Sequence, residues 1–214
     1  MAPFIIYTIP GSPFARSVAA TLEEKGAGWE LAKLAPGTLR QPEHLARHPF
    51  GRMPVVEHDG FSLYETQAIL RYVDRVLPDP VLTPADRQAA ARMDQVMNIN
   101  DWYLFHGCAN IIVFQRVIGP TLLGRTPDEA AIAEAMPRAD TVFAELSRLL
   151  GQQRYFAGDA LSLADLHVAP QVDLLAATPE WPALTAGRDN LPAWLARLNE
   201  RPSMQRTTWT RIAS

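Results

Sequence analysis

A serine at the junction of a strand and a helix is the first residue in this sequence whose position suggests chemistry. Ser12 follows the apolar run Phe4–Thr8 and a Pro10-Gly11 turn, and Pro13 follows it at the start of a helical pattern. Serine is a favoured N-cap, and proline fits the first helical position. We therefore expect the Ser12 hydroxyl beside the positive end of a helix dipole, where it can hydrogen-bond an anion such as a thiolate.

Composition limits the classes of protein to which the chain can belong. Its 214 residues, 48% of them apolar and 20% charged, are ordinary for a globular protein. The net charge of −3 argues against general nucleic-acid binding. The single cysteine, Cys108, excludes an internal disulfide and favours a reducing, cytoplasmic setting. We expect no signal peptide, because the N-terminus lacks a basic leader and is broken by Pro3 and Pro10. We also expect no membrane span, because no apolar run reaches ~18 residues.

The first part of the chain predicts alternating strands and helices. Residue periodicity gives the order β-α-β-α-β-β-α, with Asp59-Gly60 as the turn of a hairpin. Beyond the prolines at 78, 80 and 84 the patterns are helical only, interrupted near Gly119-Pro120 and restarting at Pro127. The sequence therefore predicts an α/β domain over residues 1–78, a linker over 79–84 and an all-helical domain over 85–214.

Three separated motifs resemble the cytosolic glutathione S-transferases, in particular the serine-type theta and phi classes. The motifs are, in chain order, Ser12 with Arg16 and Val18, the loop His48–Pro54 leading to Tyr64–Ile69, and the segment Phe156–Asp165. The resemblance implies a thioredoxin-like N-terminal domain followed by a C-terminal helical bundle. It also implies a cytoplasmic homodimer that uses glutathione as co-substrate, a small hydrophobic electrophile as acceptor, and no metal or prosthetic group.

The resemblance makes Ser12 the residue that holds the glutathione thiolate. Lowering a thiol pKa by about two units takes about 2.7 kcal/mol of preferential stabilisation, of which a hydroxyl and a helix N-terminus can supply a good part. The structural alternative is a helix cap worth about 1 kcal/mol, and the two roles are compatible. Tyr7 is the rival thiol partner, because other classes of the family use a strand-end tyrosine. Alternatively, Tyr7 has a structural role, with its ring packed under the first helix and its hydroxyl hydrogen-bonded.

The family pattern also implies contacts to the rest of glutathione. A cis Met53-Pro54 peptide is expected to present the Met53 backbone to the cysteinyl part, as a strand pairs with a peptide. Glu65 and Thr66 are expected at the γ-glutamyl ammonium and carboxylate, although both residue types are also ordinary at helix starts. Phe14 is expected to contact glutathione as well.

A basic stretch is the expected contact for the glycyl carboxylate of glutathione. Arg40 and Arg52 are the candidates, although phi-type enzymes have His-Lys where this chain has Leu39-Arg40 and often Gln in place of Arg52. The remaining basic residues of this stretch are interpreted as an ordinary solvated face: His44, Arg47 and His48. Asp101 is expected to reach the γ-glutamyl ammonium from the other subunit of the dimer.

Aromatic residues of the second domain predict the acceptor pocket, although some of them must belong to the core. The expected lining is Ile9, Pro10, Trp102, Phe105, His106, Phe114 and Trp209. His106 and Cys108 are two residues apart on a helix and so face different ways, which argues against a Cys-His dyad. Ser162 and Asp165 match a capping box and are assigned to folding.

Three other functions share this fold. A thioltransferase would require cysteine at position 12, so Ser12 disfavours it. A glutathione-dependent isomerase or dehalogenase would differ only in the acceptor pocket. A non-catalytic binding protein stays open, because a fold does not fix a function.

Overall fold

The computed structural model describes residues 2–213. Its strands and helices are, in chain order, β1 Phe4–Thr8, α1 Pro13–Glu24, β2 Trp29–Lys33, α2 Pro42–Arg47, β3 Val55–His58, β4 Phe61–Tyr64, α3 Thr66–Val76, α4 Arg87–Ile99, α5 Asn110–Val113, α6 Gly119–Leu123, α7 Glu129–Leu150, α8 Leu163–Ala176, α9 Trp181–Thr185, α10 Asn190–Asn199, α11 Pro202–Arg206 and α12 Trp209–Ala213. A 3₁₀ turn covers Thr38–Arg40.

A four-stranded sheet in the order β2-β1-β3-β4 organises the first part of the chain. β1 is parallel to β2 and antiparallel to β3, which in turn pairs with β4. Asp59 (φ 48°) and Gly60 (φ 77°) have the positive φ angles that the tight hairpin turn between β3 and β4 requires. The predicted βαβαββα order is confirmed, and the sheet places the ends of β1 and β4 for the site described below.

Two compact units make up the described residues, and each is considered by itself. The sheet unit takes the chain up to Thr83 together with the residues from Asn199 onward, and the helical unit is Pro84–Leu198. These units differ from the expected domains in one respect: the residues from Asn199 onward belong to the sheet unit and not to the helical unit. The expected boundaries 1–78, 79–84 and 85–214 stay a prediction about domains.

Ion pairs join the carboxyl-terminal helices to α1. The Arg201 guanidinium donates two hydrogen bonds of 2.7 Å to the Glu24 carboxylate, and Ser203 donates a third. Arg206 pairs with Glu23 at 3.1 Å. These partners are almost 180 residues apart in the chain, so local sequence patterns do not reveal that residues after Asn199 pack with the sheet unit.

A buried lysine fixes the segment that follows α3. The Lys25 ammonium donates hydrogen bonds of 2.6 Å to the Asp74 carboxylate and to the carbonyls of Leu77 and Pro80. Asp74 also accepts from the Leu82 amide and from a nearby threonine hydroxyl. All three protons of the ammonium are thus satisfied, as a buried charge requires.

The helical unit contains one long helical stretch that the sequence predicts to be interrupted. α4, α5 and α6 are joined by π-helical turns over Asn100–Ala109 and Phe114–Ile118. The interruption expected around Gly119-Pro120 lies a few residues later: α6 continues through these residues and ends at the left-handed Gly124, and α7 begins at Glu129, close to the expected restart at Pro127. Glycine is favoured at 119, because a Cβ there would lie 3.0 Å from the Phe114 carbonyl oxygen.

A capping box opens α8, as the sequence predicts. The buried Asp165 carboxylate accepts hydrogen bonds from the Ser162 amide and hydroxyl, the Phe156 amide and the Trp194 indole. No helix within residues 2–213 is long and apolar enough to cross a membrane.

Candidate functional site

The turn between β1 and α1 places Ser12 at the start of a helix. Ser12 has extended backbone angles (φ −71°, ψ 120°) and is the N-cap of α1, whose first residue is Pro13. Its Oγ accepts a hydrogen bond of 3.3 Å from the Ala15 amide. Within residues 2–213 its O–H donates to no acceptor, so the proton is available to a ligand. Ser12 as a whole is only 5% exposed, which limits competition from water.

Arg16, four residues after Ser12, has a structural position. It is almost fully buried in α1, and its guanidinium lies 4.7 Å from the centre of the Trp209 ring, as in a cation–π contact. The same guanidinium donates a long hydrogen bond of 3.5 Å to the Met204 carbonyl. Arg16 thus holds α1 against α11 and α12, and Trp209, an expected acceptor-pocket residue, takes part in that contact.

Tyr7 is engaged by neighbours of its own. Its hydroxyl donates a hydrogen bond of 2.9 Å to Glu57, and the Arg47 guanidinium lies 4.5 Å from the centre of its ring. Burial and the Glu57 carboxylate raise the pKa of Tyr7. A tyrosine that donates to a carboxylate is poorly suited to donate to a thiolate, and these contacts favour the structural alternative for Tyr7.

The Met53-Pro54 peptide is cis, which confirms what the family pattern implies. The Met53 sulfur accepts a hydrogen bond of 3.1 Å from the Ile9 amide, so Met53 is tied to the turn that precedes Ser12. Within residues 2–213, the Met53 N–H and C=O form no hydrogen bond with another backbone group. An extended peptide such as glutathione can therefore pair with them.

The junction between β4 and α3 places Glu65 and Thr66 together. Glu65 is exposed and has φ 69° and ψ 111°, a conformation that non-glycine residues rarely adopt and that marks functional sites. Thr66 is the first residue of α3 and is nearly buried. Neither side chain forms a hydrogen bond or ion pair with another described residue. Both can therefore bind a ligand at this helix N-terminus.

Arg40 and Arg52 lie on neighbouring segments. A Cβ on Gly51 (φ 60°) would come within 2.8 Å of the Leu39 carbonyl oxygen and 3.1 Å of the Arg40 Cδ, so the loop lies directly against this segment. Both arginines are exposed, and no carboxylate in residues 2–213 lies within ion-pair distance of either. They are therefore free to bind a carboxylate of a ligand.

The interpretation of His44 and His48 as a solvated face is wrong. Both imidazoles are only 2% exposed. Burial, with the nearby His44 and Arg52, lowers the pKa of His48. The six residues of α2 are too few to show which side faces the sheet, so periodicity gave no signal. Arg47 of the same helix keeps partial exposure and pairs with Glu43 at 3.2 Å.

The remaining expected residues are divided between the two units. Ile9, Pro10 and Phe14 flank Ser12 and are partly buried in the sheet unit. Trp102 (69% exposed), Phe105, His106 and Phe114 lie in the π-helical turns and beside α5 in the helical unit. Cys108 is buried while His106 is exposed, which agrees with their expected opposite facing.

Asp101 has partners within the helical unit. Its Oδ1 accepts hydrogen bonds from the buried His167 at 2.7 Å and from Asn100 at 3.1 Å. No group of three or more metal-ligating side chains occurs in the described part of the chain.

Comparison with known proteins agrees with this arrangement. The family model "Glutathione S-transferase, N-terminal domain" matches residues 2–75, and "Glutathione S-transferase, C-terminal domain" matches residues 108–202. A probable glutathione S-transferase of rice (Oryza sativa subsp. japonica) is 34% identical over 209 residues, 96% of either chain. Glutathione S-transferase 3 of maize (Zea mays) is 33% identical, over 97% of this chain and 94% of its own.

A solved structure shows the same fold with a ligand. Glutathione S-transferase I from maize, in complex with an atrazine–glutathione conjugate, superposes with a TM-score of 0.85 at 30% identity. The match covers 99% of this chain and 98% of the maize chain. With both family models matched in order and relatives aligned over nearly their full length, this chain belongs to the glutathione S-transferase family.

Proposed function

We propose that the chain transfers electrophilic carbon groups to the thiol sulfur of glutathione, with Ser12 holding that sulfur as a thiolate. The observation that carries the proposal is the Ser12 hydroxyl, which accepts from the Ala15 amide and keeps its own proton for a ligand. A hydroxyl donor at the N-terminus of α1 stabilises the thiolate in preference to the thiol. The maize relative that binds a glutathione conjugate supports this choice of ligand.

The groups that lack internal partners match the rest of glutathione. The Met53 backbone would pair with the cysteinyl residue, next to the Ser12 turn to which the Met53 side chain is tied. Glu65 and Thr66 would bind the γ-glutamyl ammonium and carboxylate at the N-terminus of α3. Arg40 and Arg52 would bind the glycyl carboxylate.

The proposed reaction needs no metal or prosthetic group. The glutathione thiol loses its proton to solvent and remains bound as thiolate. The thiolate then attacks an electrophilic carbon, a C–S bond forms, and the leaving group departs with the bonding electrons. The acceptor would contact the side chains that the sequence predicts for its pocket, and Phe14 would contact glutathione. These pocket residues are Ile9, Pro10, Trp102, Phe105, His106, Phe114 and Trp209.

The proposal includes a homodimer that acts in the cytoplasm, in detoxification. A dimer would cover aromatic side chains that are exposed in the single chain: Phe50 (62% exposed) and Phe61 in the sheet unit and Tyr103 in the helical unit. A single unpaired cysteine suits a reducing compartment. In a dimer, Asp101 of one subunit would reach the ammonium of glutathione on the other, as a further contact of a carboxylate that already accepts from His167 and Asn100. Sedimentation of the purified chain at micromolar concentration distinguishes dimer from monomer.

Conjugation kinetics with an activated aryl halide test the activity. We expect Ser12→Ala to lower kcat/KM for the aryl halide by about 100- to 1000-fold, the usual cost of removing one donor to a developing or bound anion. Ser162→Ala is the matched control, because it removes an N-cap hydroxyl from α8 and leaves the glutathione site intact. Glutathione binding without turnover of any electrophile would instead support the non-catalytic alternative.

A further inference from the structure

Three aromatic rings follow one another from α2 to the end of β4, and the first of them contacts the loop that carries Arg52 and Met53. The centre of the His44 ring is 6.3 Å from that of His48, and the centre of His48 is 4.5 Å from that of Tyr64. The rings are tilted by only 28° and 30° from one to the next. We call these three residues the ring row. It extends from α2 to the end of β4, immediately before Glu65.

His44 forms a hydrogen bond with the loop itself. Its Nε2 lies 2.7 Å from the carbonyl oxygen of Arg52. A carbonyl can only accept, so Nε2 carries the proton and donates. Within residues 2–213, the buried Nδ1 of His44 has no hydrogen-bond partner, so this contact is the imidazole's one polar interaction. The Arg52 carbonyl belongs to the peptide bond that leads into Met53.

Two other contacts hold the loop immediately before and after this peptide in the sequence. Before it, Gly51 lies so close to the Leu39 carbonyl that a Cβ would approach it to 2.8 Å. After it, the Met53 sulfur accepts from the Ile9 amide. Of the three contacts, the His44 bond is the one that involves an atom of the Arg52–Met53 peptide group itself. A donor fixed to that carbonyl oxygen restrains how the peptide is oriented.

We propose that His44 is a positioning residue for glutathione binding. Its hydrogen bond to the Arg52 carbonyl orients the Arg52–Met53 peptide for pairing with the cysteinyl residue, and the ring row links this peptide to the start of α3. This inference rests on the proposed function, because it assumes that the Met53 backbone binds glutathione. His44 acts through the loop and does not touch glutathione or its acceptor.

Two substitutions of His44 separate the hydrogen bond from the bulk of the ring. His44→Leu removes the donor and keeps an apolar side chain, while the amide of His44→Gln can donate to the same carbonyl. His58→Leu is the matched control: His58 is also buried in the sheet unit, but its Nδ1 pairs with the Tyr72 hydroxyl 3.0 Å away. Binding of glutathione by calorimetry and two-substrate kinetics are measured for all four proteins, wild type included.

The expected result is a split between binding and chemistry. His44→Leu raises the Kd and KM for glutathione about tenfold, which corresponds to about 1.4 kcal/mol. It leaves kcat at saturating glutathione and the KM for the electrophile within about twofold, because Ser12 is untouched. His44→Gln restores most of the affinity, and His58→Leu binds glutathione like wild type.

Other results overturn the inference in ways that can be told apart. If His44→Leu binds glutathione like wild type, or if His58→Leu weakens binding equally, His44 only fills space and the positioning role is wrong while the proposed function stands. Failure of His44→Gln to restore affinity also overturns it. If wild type itself binds no glutathione, the proposed function fails, and the positioning role fails with it.

Discussion

The sheet unit and the helical unit use their polar side chains differently. In the helical unit they serve the fold: Asp165 accepts four hydrogen bonds, and Arg116 is held between the carboxylates of Glu129 and Glu180. The sheet unit has structural pairs as well, such as Lys25 with Asp74 and Arg201 with Glu24. It differs in a group of polar side chains at its candidate site that have no such partner among the described residues: Arg40, Arg52, Glu65 and Thr66.

This difference shows where a ligand belongs. A polar group that is satisfied within the protein gains little by binding something else, whereas one left without a partner at a helix start or a loop can bind a ligand. The same criterion separates two residues of one strand-to-helix region. Tyr7 donates to Glu57 and is committed to the fold, while the proton of the Ser12 hydroxyl is not used by the chain.

The largest expected effect is on the alkylation rate of Cys108, the buried thiol of the helical unit, compared with that of an accessible thiol. Cys108 is fully buried, donates to the Leu104 carbonyl at 3.0 Å, and has its pKa raised to about 12 by burial. Only the thiolate reacts, so we expect alkylation in the folded protein at pH 8 to be slower than for a free thiol by on the order of a thousandfold. Mass spectrometry after timed iodoacetamide treatment measures the rate. The same protein in denaturant is the control, and equal rates would show that the helical unit opens readily.

The substitution Asp165→Ala has the next largest expected effect, which is on the free energy of unfolding. Asp165→Ala leaves buried donors of Ser162, Phe156 and Trp194 without an acceptor, so we expect the free energy of unfolding to fall by about 3 kcal/mol or more. Asp128→Ala is the matched control, because Asp128 is an exposed cap that accepts from two amides at the start of α7. This substitution should lower the free energy of unfolding by about 1 kcal/mol. Urea denaturation measures both, and similar losses would contradict the structural role assigned to the buried carboxylate.

Arg52→Ala tests the opposite case, in which glutathione binding changes strongly and the stability of the protein changes little. We expect Arg52→Ala to raise the KM for glutathione about tenfold, because a charge-assisted contact to the glycyl carboxylate is lost. Its melting temperature should stay close to wild type, since no described carboxylate pairs with it. Arg138→Ala makes the same change of charge on the exposed side of α7 and should alter neither quantity. A stability loss in Arg52→Ala with unchanged KM would reverse the assignment.

His48 carries the smallest expected effect. Its pKa is lowered in the folded protein, so the unfolded chain binds the proton more readily. Stability is therefore complete above the ordinary histidine pKa, near pH 6.5, and falls as the pH drops below it. Urea denaturation at pH 7.5 and 5.5 should show a smaller pH dependence in His48→Asn. His106→Asn, at an exposed histidine, should leave that dependence as in wild type.

The sequence predicts most of the sheet unit, and the start of α8 in the helical unit, because these signals are local. The Asp59-Gly60 turn, the Pro13 helix start and the Ser162–Asp165 capping box each depend on residues a few positions apart. The cis Met53-Pro54 peptide came only from the family resemblance, since most X–Pro bonds are trans.

What the sequence misses depends on contacts between distant residues or on very short elements. The ion pair of Glu24 with Arg201 joins positions far apart in the chain, so the packing of the last helices on α1 was not foreseen. The π turns before Gly119 leave no periodic signal of their own. His44 was missed because its partner, the Arg52 carbonyl, is a backbone atom that every residue type carries.

The ionisation of bound glutathione is the most direct test of the central claim that Ser12 activates the thiol. The ultraviolet absorbance of the thiolate, followed across pH, gives its pKa in wild type, Ser12→Ala and Tyr7→Phe. We predict that wild type and Tyr7→Phe ionise glutathione about one to two units below its free value, and that Ser12→Ala binds glutathione without that shift. A shift that survives in Ser12→Ala, or that disappears in Tyr7→Phe, would contradict the account and leave Ser12 as a helix cap alone.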